Sequence, residues 1–267
     1  MGVLPDRARP ARRARGAAGG TRPGDRRGRP VRRRLLAEFL GTALLVTVVV
    51  GSGIMAQTLS PRDVGLQLLE NSTATVFGLA VLIVVLGPVS GAHFNPVVSL
   101  ADWWQGRQSG HGLSGGELGG YVVAQVLGAV GGAVLANAMF DKPVIAWSST
   151  PRSSPHLWLG EVVATAGLVL VIFCLTRSGR TAVAPLAVGG YIGAAYWFTS
   201  STSFANPAVT VGRAFSDTFA GIAPASLPGF IAAQAVGGLI GLALVHGLFG
   251  RPTVRTEGPV VPHEGTR

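Results

Sequence analysis

The fold is decided by two related stretches, Ser90-Gly91-Ala92-His93-Phe94-Asn95-Pro96-Val97 and Phe204-Ala205-Asn206-Pro207-Ala208. Asn is a favoured helix N-cap and Pro is favoured at the first helical position, so each Asn-Pro pair predicts a helix start. The helices are expected to run from Val97 to about residue 106 and from Ala208 to about residue 218. Such a helix is about 18 Å long at 1.5 Å per residue, whereas a membrane core is about 30 Å thick. Neither helix can cross alone, but two entering from opposite faces would meet near the middle.

The geometry of two facing half-helices predicts which solutes could pass between them. Each helix start carries about half a positive charge, which raises the energy of a cation or an excess proton at the midplane. The loops leading in, Gly87–Phe94 and Ser200–Ala205, are expected to be extended, with their carbonyl groups lining a water-filled path. The amides of Asn95 and Asn206 add hydrogen-bond donors at the centre. This arrangement suits neutral, hydrogen-bonding solutes.

The composition is that of a membrane protein. Hydrophobic residues make up 48% of the 267-residue chain, and charged residues make up only 13%, about half of the share in soluble domains. Stretches of about 20 mostly apolar residues are long enough to span a bilayer. Six stretches meet this requirement, at roughly 35–56, 71–88, 118–140, 157–176, 183–200 and 228–249.

The chain contains an internal repeat. A Glu inside an apolar span, the Asn-Pro pair and an Ala-Gln pair follow in the same order in residues 34–140 and 157–250. Each half has three spans, an odd number, so the second half must enter the membrane upside down. Inverted repeats place their functional site near the midplane, between the halves. The fold class is therefore all-α, with six transmembrane helices, two half-helices and a 3+3 inverted repeat, forming a channel domain over residues 34–250.

Small residues recur at positions where helices could pack closely. Gly128 and Gly132 form one pair spaced by four residues, and Gly237 and Gly241 form its counterpart in the second half. Such pairs let helix backbones approach each other, so we expect them at helix–helix contacts.

These motifs, together with Ala37-Glu38-Phe39-Leu40-Gly41-Thr42, make the chain resemble the aquaporin and glycerol-facilitator family, also called major intrinsic proteins. The resemblance implies a right-handed six-helix bundle with one pore per subunit, assembled as a homotetramer. It also implies that Glu38 and Glu161 accept hydrogen bonds from backbone N–H groups of the half-helix loops. The rival role for these two carboxylates is a proton relay, as in a transporter. Val97 departs from the family pattern, which usually has Ala there.

The resemblance carries pore roles over to specific residues. The pore centre is expected at Asn95, Pro96, Val97, Asn206, Pro207 and Ala208. His93 is placed at the cytoplasmic pore mouth, where a hydrogen bond that braces the loop is as plausible as a gating role.

The expected selectivity filter lacks the arginine that the family usually has there. That position is Val209, and two further filter positions fall on Ser203 and Ala194. The fourth falls on Phe77 when the stretch Phe77-Gly78-Leu79 is aligned to the family, or on Thr75 when residues are counted from Asn95. Val removes five donors and a fixed charge, so the constriction should be wider and less polar. Arg213 follows about one turn later and could lie on the same face.

This filter resembles that of bacterial family members tied to arsenic resistance. Trivalent arsenic at neutral pH is a neutral trihydroxide with a hydroxyl pattern like that of glycerol. The leading hypothesis is therefore a channel for arsenite-like metalloid hydroxides, polyols and water.

Charge fixes the expected orientation. Residues 1–34 contain twelve arginines, and Lys and Arg favour the cytoplasmic side. We therefore expect a basic, disordered cytoplasmic arm over residues 1–33, a cytoplasmic tail over residues 251–267, and a multi-pass protein of the cell membrane. Nucleic acid is not expected as a partner, because no aromatic residue interleaves the arginines. Anionic membrane lipid is the expected partner of the arm.

Two other functions remain open from the sequence. One is a general water and glycerol facilitator, and the other, from a different class, is an ion-coupled secondary transporter. An enzyme is disfavoured because no Ser-His-Asp set, metal-spaced His/Cys cluster or phosphate loop appears. We expect no catalytic residue, no metal and no cofactor.

Overall fold

A computed structural model describes residues 29–110 and 112–250 of the chain. In this part the chain forms eight α-helices and no strands. The helices are α1 (Val31–Leu59), α2 (Val64–Ser90), α3 (Pro96–Ser109), α4 (Gly115–Met139), α5 (Pro155–Arg177), α6 (Ala184–Phe198), α7 (Pro207–Arg213) and α8 (Leu227–Phe249).

Each of the six predicted spans corresponds to a helix, so the predicted all-α fold with six spans and two half-helices is confirmed. Five helices are long and apolar enough to cross a membrane: α1, α2, α4, α5, and α8 with the 3₁₀ turn before it. The sixth, α6, has 15 residues, about 22 Å at 1.5 Å per residue. A 3₁₀ turn over Thr181–Val183 extends it at its start.

The two half-helices differ in length. Helix α3 has 14 residues, but α7 has only 7 and ends at Arg213, so the prediction that it runs to about residue 218 is wrong. The reason lies in the next segment, which bonds to the α4–α5 loop instead of continuing the helix. The carbonyls of Ala214 and Phe215 accept hydrogen bonds from Ser148 and Ala146 of that loop, at 2.9 and 3.2 Å.

The loop before α3 is shorter than predicted. Helix α2 continues through Pro88 to Ser90, so residues 87–90 are helical and only residues 91–94 are extended or turned. Gly91 ends the helix with φ of 92°, a left-handed conformation that glycine adopts at little cost.

The two halves have matching packing. Helix α1 packs against α2 and α4, and its counterpart α5 packs against α6 and α8. The halves join where α2 meets α6, and each half-helix also crosses into the other half: α7 packs against α4 and α3 against α8. This is the arrangement expected of a 3+3 inverted repeat.

Glycines allow close contacts between these helices, as predicted. A Cβ atom on Gly128 or Gly132 would collide with backbone carbonyls of α1, and one on Gly237 or Gly241 with backbone carbonyls of α5. The same spacing therefore performs the same task in both halves, holding α4 on α1 and α8 on α5.

The predicted arm ends earlier than expected, because α1 already begins at Val31. The rest of the predicted arm, residues 1–28, and the predicted tail, residues 251–267, lie outside the described residues.

The glycine contacts can be tested with two neighbouring positions on α4. We expect Gly132→Ala to destabilise the protein by about 1–3 kcal/mol, because the new methyl group meets an α1 carbonyl and over-packing costs this much. Gly131→Ala is the control, since nothing lies within 4 Å of a Cβ there. Heat unfolding of the purified protein in detergent measures both. Equal midpoints for the two variants would contradict the close α1–α4 contact.

Candidate functional site

Both Asn-Pro pairs begin a half-helix by the same local chemistry. The side-chain oxygen of Asn95 accepts the backbone N–H of Val97 at 2.9 Å. That of Asn206 accepts the N–H groups of Ala208 and Val209 at 3.0 and 3.2 Å. In each helix Pro occupies the first turn, where a missing N–H costs nothing.

The same two asparagines join the half-helices to each other. The Nδ2 group of Asn95 donates to the carbonyl of Ala205 at 2.7 Å, and that of Asn206 donates to the carbonyl of Phe94 at 2.7 Å. Each amide therefore bonds to the residue just before the opposite Asn. An amide nitrogen carries two hydrogens, and each of these bonds uses only one of them.

The loops before the two asparagines have a shared, unusual backbone. Ala92 and Phe94 in the first loop have φ of 49° and 50°, and Ser203 and Ala205 in the second have φ of 51° and 48°. Non-glycine residues rarely adopt this left-handed region, and each such residue costs on the order of 1–3 kcal/mol. The loops hold this shape only because surrounding groups fix them.

Glu38 fixes the first loop. It is buried in α1 and accepts the backbone N–H groups of His93 at 3.0 Å and Phe94 at 2.7 Å. The hydroxyl of Ser90 and the amide of Gln125 donate to the same carboxylate at 2.6 and 2.8 Å.

Glu161 does the same for the second loop. It accepts the N–H groups of Phe204 and Ala205, both at 2.8 Å, and the amide of Gln234 at 2.6 Å. Gln234 also donates to Thr210 of α7 at 2.8 Å. The Glu, Asn-Pro and Ala-Gln elements of the sequence repeat thus meet in one hydrogen-bond network per half.

A cavity runs along this joint and is lined by both halves. The two asparagines and both loops contribute to its wall. Its remaining surface is mostly apolar and comes from α1, α2, α5 and α6. These apolar residues are Leu45, Val49, Leu79, Ile83, Leu168, Ile172, Val188 and Ile192.

The expected pore-centre residues lie together at this joint. Both asparagines line the cavity; the two prolines start α3 and α7, and Val97 and Ala208 follow them as buried residues. His93 also lines the cavity, and its Nδ1 lies 3.1 Å from the hydroxyl of Ser99. A bracing contact is therefore present at a residue that still faces the path.

The expected filter residues divide into two groups. Val209 and Ser203 line the cavity, and the Ser203 hydroxyl, in a side chain 3% exposed, has no hydrogen-bond partner. Phe77 and Ala194 do not line it, and both are exposed on outer faces, Phe77 by 67%. Their assignment to the filter is wrong.

Both errors are slips of two residues along a helix. Thr75, the other option on α2, lines the cavity, and Ile192 and Tyr196 do so on α6. Two residues turn a helix by about 200°, so a slip of two moves a side chain to the opposite face. The four-residue spacing of Val188, Ile192 and Tyr196 was the signal that could have identified the α6 face.

Tyr196 and Arg213 form a polar end of the cavity that sequence reasoning did not assign. The hydroxyls of Thr75 and Tyr196 lie 3.2 Å apart. Arg213, one turn after Val209, is 3% exposed and lines the cavity. Its Nε donates to the carbonyl of Ala220, and its guanidinium carbon lies 3.4 Å from the ring centroid of Phe204.

Arg152 approaches the same aromatic ring from the α4–α5 loop. Its guanidinium carbon lies 5.0 Å from the Phe204 centroid, and its Nε donates to Gly221 at 2.9 Å. Unlike Arg213, it does not line the cavity. Burial lowers its pKa.

The chain is similar in sequence to known membrane channels. The model of the family described as major intrinsic protein matches residues 27–204. The aquaglyceroporin AqpS of Rhizobium meliloti (strain 1021) is 50% identical over 229 residues, which are 85% of this chain and 95% of that protein. The glycerol uptake facilitator protein of Pseudomonas aeruginosa is 34% identical over 225 residues, covering 73% of this chain and 77% of that protein.

A solved structure supports the fold. The X-ray structure of the aquaglyceroporin from Plasmodium falciparum aligns with a TM-score of 0.59 and covers 80% of this chain and 95% of that chain. At 22% sequence identity, this similarity concerns the fold alone.

The bracing carboxylates can be tested by an isosteric change. We expect Glu161→Gln to destabilise the protein by about 3 kcal/mol or more. The new NH2 group would face donors that now bind a carboxylate, and buried groups left unpaired carry this cost. Heat unfolding in detergent measures the loss.

Glu70→Gln on α2 is the matched control. The Glu70 Oε1 accepts from Ser60 at 2.8 Å, and its Oε2 has no partner, so an NH2 group there meets no donor. A similar unfolding midpoint for both variants would contradict the bracing role of Glu161.

Proposed function

The chain belongs to the major intrinsic protein family, and from this membership we propose that it is a passive membrane channel for small uncharged solutes. The observation that carries the proposal is the cavity lined by both half-helix starts. Its apolar walls offer nothing to replace the hydration of an ion, while the two asparagine amides offer donors to a neutral solute. The relatives named for glycerol transport support water and glycerol as solutes.

The filter residues support a broader solute range than water. Val209 stands where the family usually has an arginine, and Ser203, which lines the same cavity, holds a buried hydroxyl without a partner. A solute that carries several hydroxyl groups could bond to Ser203 while Val209 leaves it room. We therefore propose arsenite-like metalloid trihydroxides as solutes alongside polyols and water.

Arg213 supports the exclusion of cations. It brings a fixed positive charge to the cavity one turn further along α7 than the usual filter position. The bond to Ala220 and the stacking on Phe204 hold the guanidinium in place. In this proposal the charge repels cations at that end, while the half-helix starts repel them at the centre.

An ion-coupled transporter is the weaker alternative. Coupling requires titratable or ion-binding carboxylates along the path. In the part of the chain that the structure describes, no Asp or Glu lines the cavity. Glu38 and Glu161 instead bond to the loop backbones, which supports a scaffolding role.

Orientation and assembly complete the proposal. The arginine-rich N-terminal sequence favours a cytoplasmic N-terminus, and six spans then return the C-terminus to the same side. We place the protein in the cell membrane as a homotetramer, as the family resemblance implies. Exposed apolar residues on the outer faces, such as Phe77, Val81 and Leu186, fit contact with lipid or a neighbouring subunit.

Substrate range can be tested in proteoliposomes. We expect arsenous acid and glycerol to enter at rates well above those of empty liposomes, without dependence on a pH or sodium gradient. Stopped-flow light scattering follows glycerol and water, and arsenic uptake is measured by mass spectrometry. Fast water flux with no arsenic uptake would show that the protein is a water or glycerol facilitator and not an arsenite channel. Solute uptake driven by a pH or sodium gradient would favour a transporter.

Val209 can be tested by restoring the usual arginine. We expect Val209→Arg to reduce glycerol and arsenite flux at least about tenfold, a barrier increase of about 1.4 kcal/mol, with a smaller effect on water. Val209→Met, long but uncharged, separates bulk from charge. Unchanged glycerol and arsenite flux in Val209→Arg would show that Val209 does not lie at the constriction.

Arg213 can be tested against Arg152, which stacks on the same ring outside the cavity. We expect Arg213→Met to raise proton and sodium leak through proteoliposomes, because the fixed charge in the path is lost. Arg213→Lys should keep most of the exclusion, and Arg152→Gln should leave it unchanged. A pH-sensitive dye and a sodium dye report the leaks. Equal leak in Arg213→Met and the unmodified protein would contradict the role of Arg213.

A further inference from the structure

We propose that a second site, at the end of the bundle where α1 begins, binds a phosphate group. The site is a pocket between the start of α1, the end of α3 and the start of α4. Three arginines line it, Arg29, Arg34 and Arg107, together with one carboxylate, Glu117. It is separate from the cavity between the half-helices and shares no lining residue with it.

The strongest sign of an anion-binding site is Arg34. Its side chain is only 4% exposed, and one end of the guanidinium group is paired with Glu117. Its Nε is buried without a hydrogen-bond partner. A buried donor on a charged group is costly to leave unpaired. The guanidinium carbon lies 5.9 Å from the Tyr121 ring centroid, and Arg34 lines the pocket, so an anion bound there could reach its guanidinium group.

The other groups in the pocket favour an anion with several oxygen atoms. The guanidinium carbon of Arg107 lies 5.0 Å from the Trp103 ring centroid, which restricts its orientation. Arg29 adds a third guanidinium group at the pocket rim. Three arginines facing one carboxylate leave the pocket positive, and guanidinium groups bond to phosphate through parallel N–H donors.

The position of the pocket is compatible with a phosphate group from either a lipid headgroup or a soluble molecule. It lies where the spanning helices α1 and α4 begin. The lining residue Trp103 has its ring 6.2 Å from that of Trp104, which is 47% exposed. Tryptophan is enriched at the membrane–water interface, and basic pockets between spanning helices bind anionic lipid headgroups. A lipid headgroup and a soluble phosphate present the same chemistry here.

The site can be tested by isothermal titration calorimetry of the full chain in an uncharged detergent. The probes are dihexanoyl-phosphatidylglycerol, dihexanoyl-glycerol, which lacks the phosphate, and inorganic phosphate. We expect binding of a phosphate-bearing probe and none of dihexanoyl-glycerol. Phosphatidylglycerol binding identifies a lipid headgroup as the ligand, and binding of inorganic phosphate alone identifies a soluble one.

Variants that remove a positive or a negative charge from the pocket should change phosphate binding in opposite directions. Arg29→Gln and Arg107→Gln, both at exposed positions, should each weaken binding about fivefold, the effect of one exposed charge pair. Glu117→Gln should strengthen it, because Gln can keep the capping box with Ser114 while removing the competing charge. Arg180→Gln, exposed at the same end but outside the pocket, should change nothing.

The proposal is overturned if neither phosphate-bearing probe binds. It is equally overturned if binding is as strong in Arg29→Gln and Arg107→Gln as in Arg180→Gln, or if dihexanoyl-glycerol binds as well as the phosphatidylglycerol. Heat-unfolding midpoints without ligand verify that each variant is folded. None of these readouts depends on solute flux, so the result is independent of the proposed channel function.

Discussion

Two hydrogen bonds, each from an asparagine amide to the carbonyl just before the other asparagine, hold the halves of this fold together at its centre. Backbone inside a membrane must find its hydrogen bonds within the protein, and these loops contain residues in a strained left-handed conformation. The buried carboxylates of Glu38 and Glu161 supply the acceptors that fix the loops. Helices α4 and α8 each pack against both half-helices and so hold them on either side of this joint.

The same joint explains why neutral solutes fit the cavity. Bonding to the loops uses one hydrogen of each asparagine amide and leaves the other for a solute. The carboxylates are occupied by the backbone, so the path presents donors and apolar walls rather than negative charge. In the proposed channel, the same residues therefore hold the structure together and exclude cations, and a change that loosens the joint would alter both.

The sequence predicted most of this fold because its signals were repeated in both halves. The Asn-Pro pairs act locally, since each Asn caps the helix that follows it. The buried Glu residues and the spaced glycines have partners far along the chain, and they were recognised by their repetition and by the family resemblance. The errors arose where tertiary context decides the outcome. Ala194 was placed by counting back from Asn206, and Phe77 by matching the short stretch Phe77-Gly78-Leu79 to the family pattern, whereas the count from Asn95 gave Thr75, which lines the cavity. Helix α7 ends at Arg213 because the following backbone bonds to a distant loop. Arg213 lines the cavity, as its position one turn after Val209 allowed, but its stacking against Phe204 is a contact that no spacing in the sequence indicates.

The most direct test of the account is the membrane side reached by the far end of each half-helix. Gln108→Cys near the end of α3 and Asp217→Cys after α7 are both exposed. They would be made separately in a Cys174→Ser chain, which removes the one native cysteine. A membrane-impermeant thiol reagent is then applied to intact cells and to inside-out vesicles. We expect the two cysteines to be labelled from opposite sides of the membrane. Labelling of both from the same side would contradict half-helices that enter from opposite faces and meet at their starts.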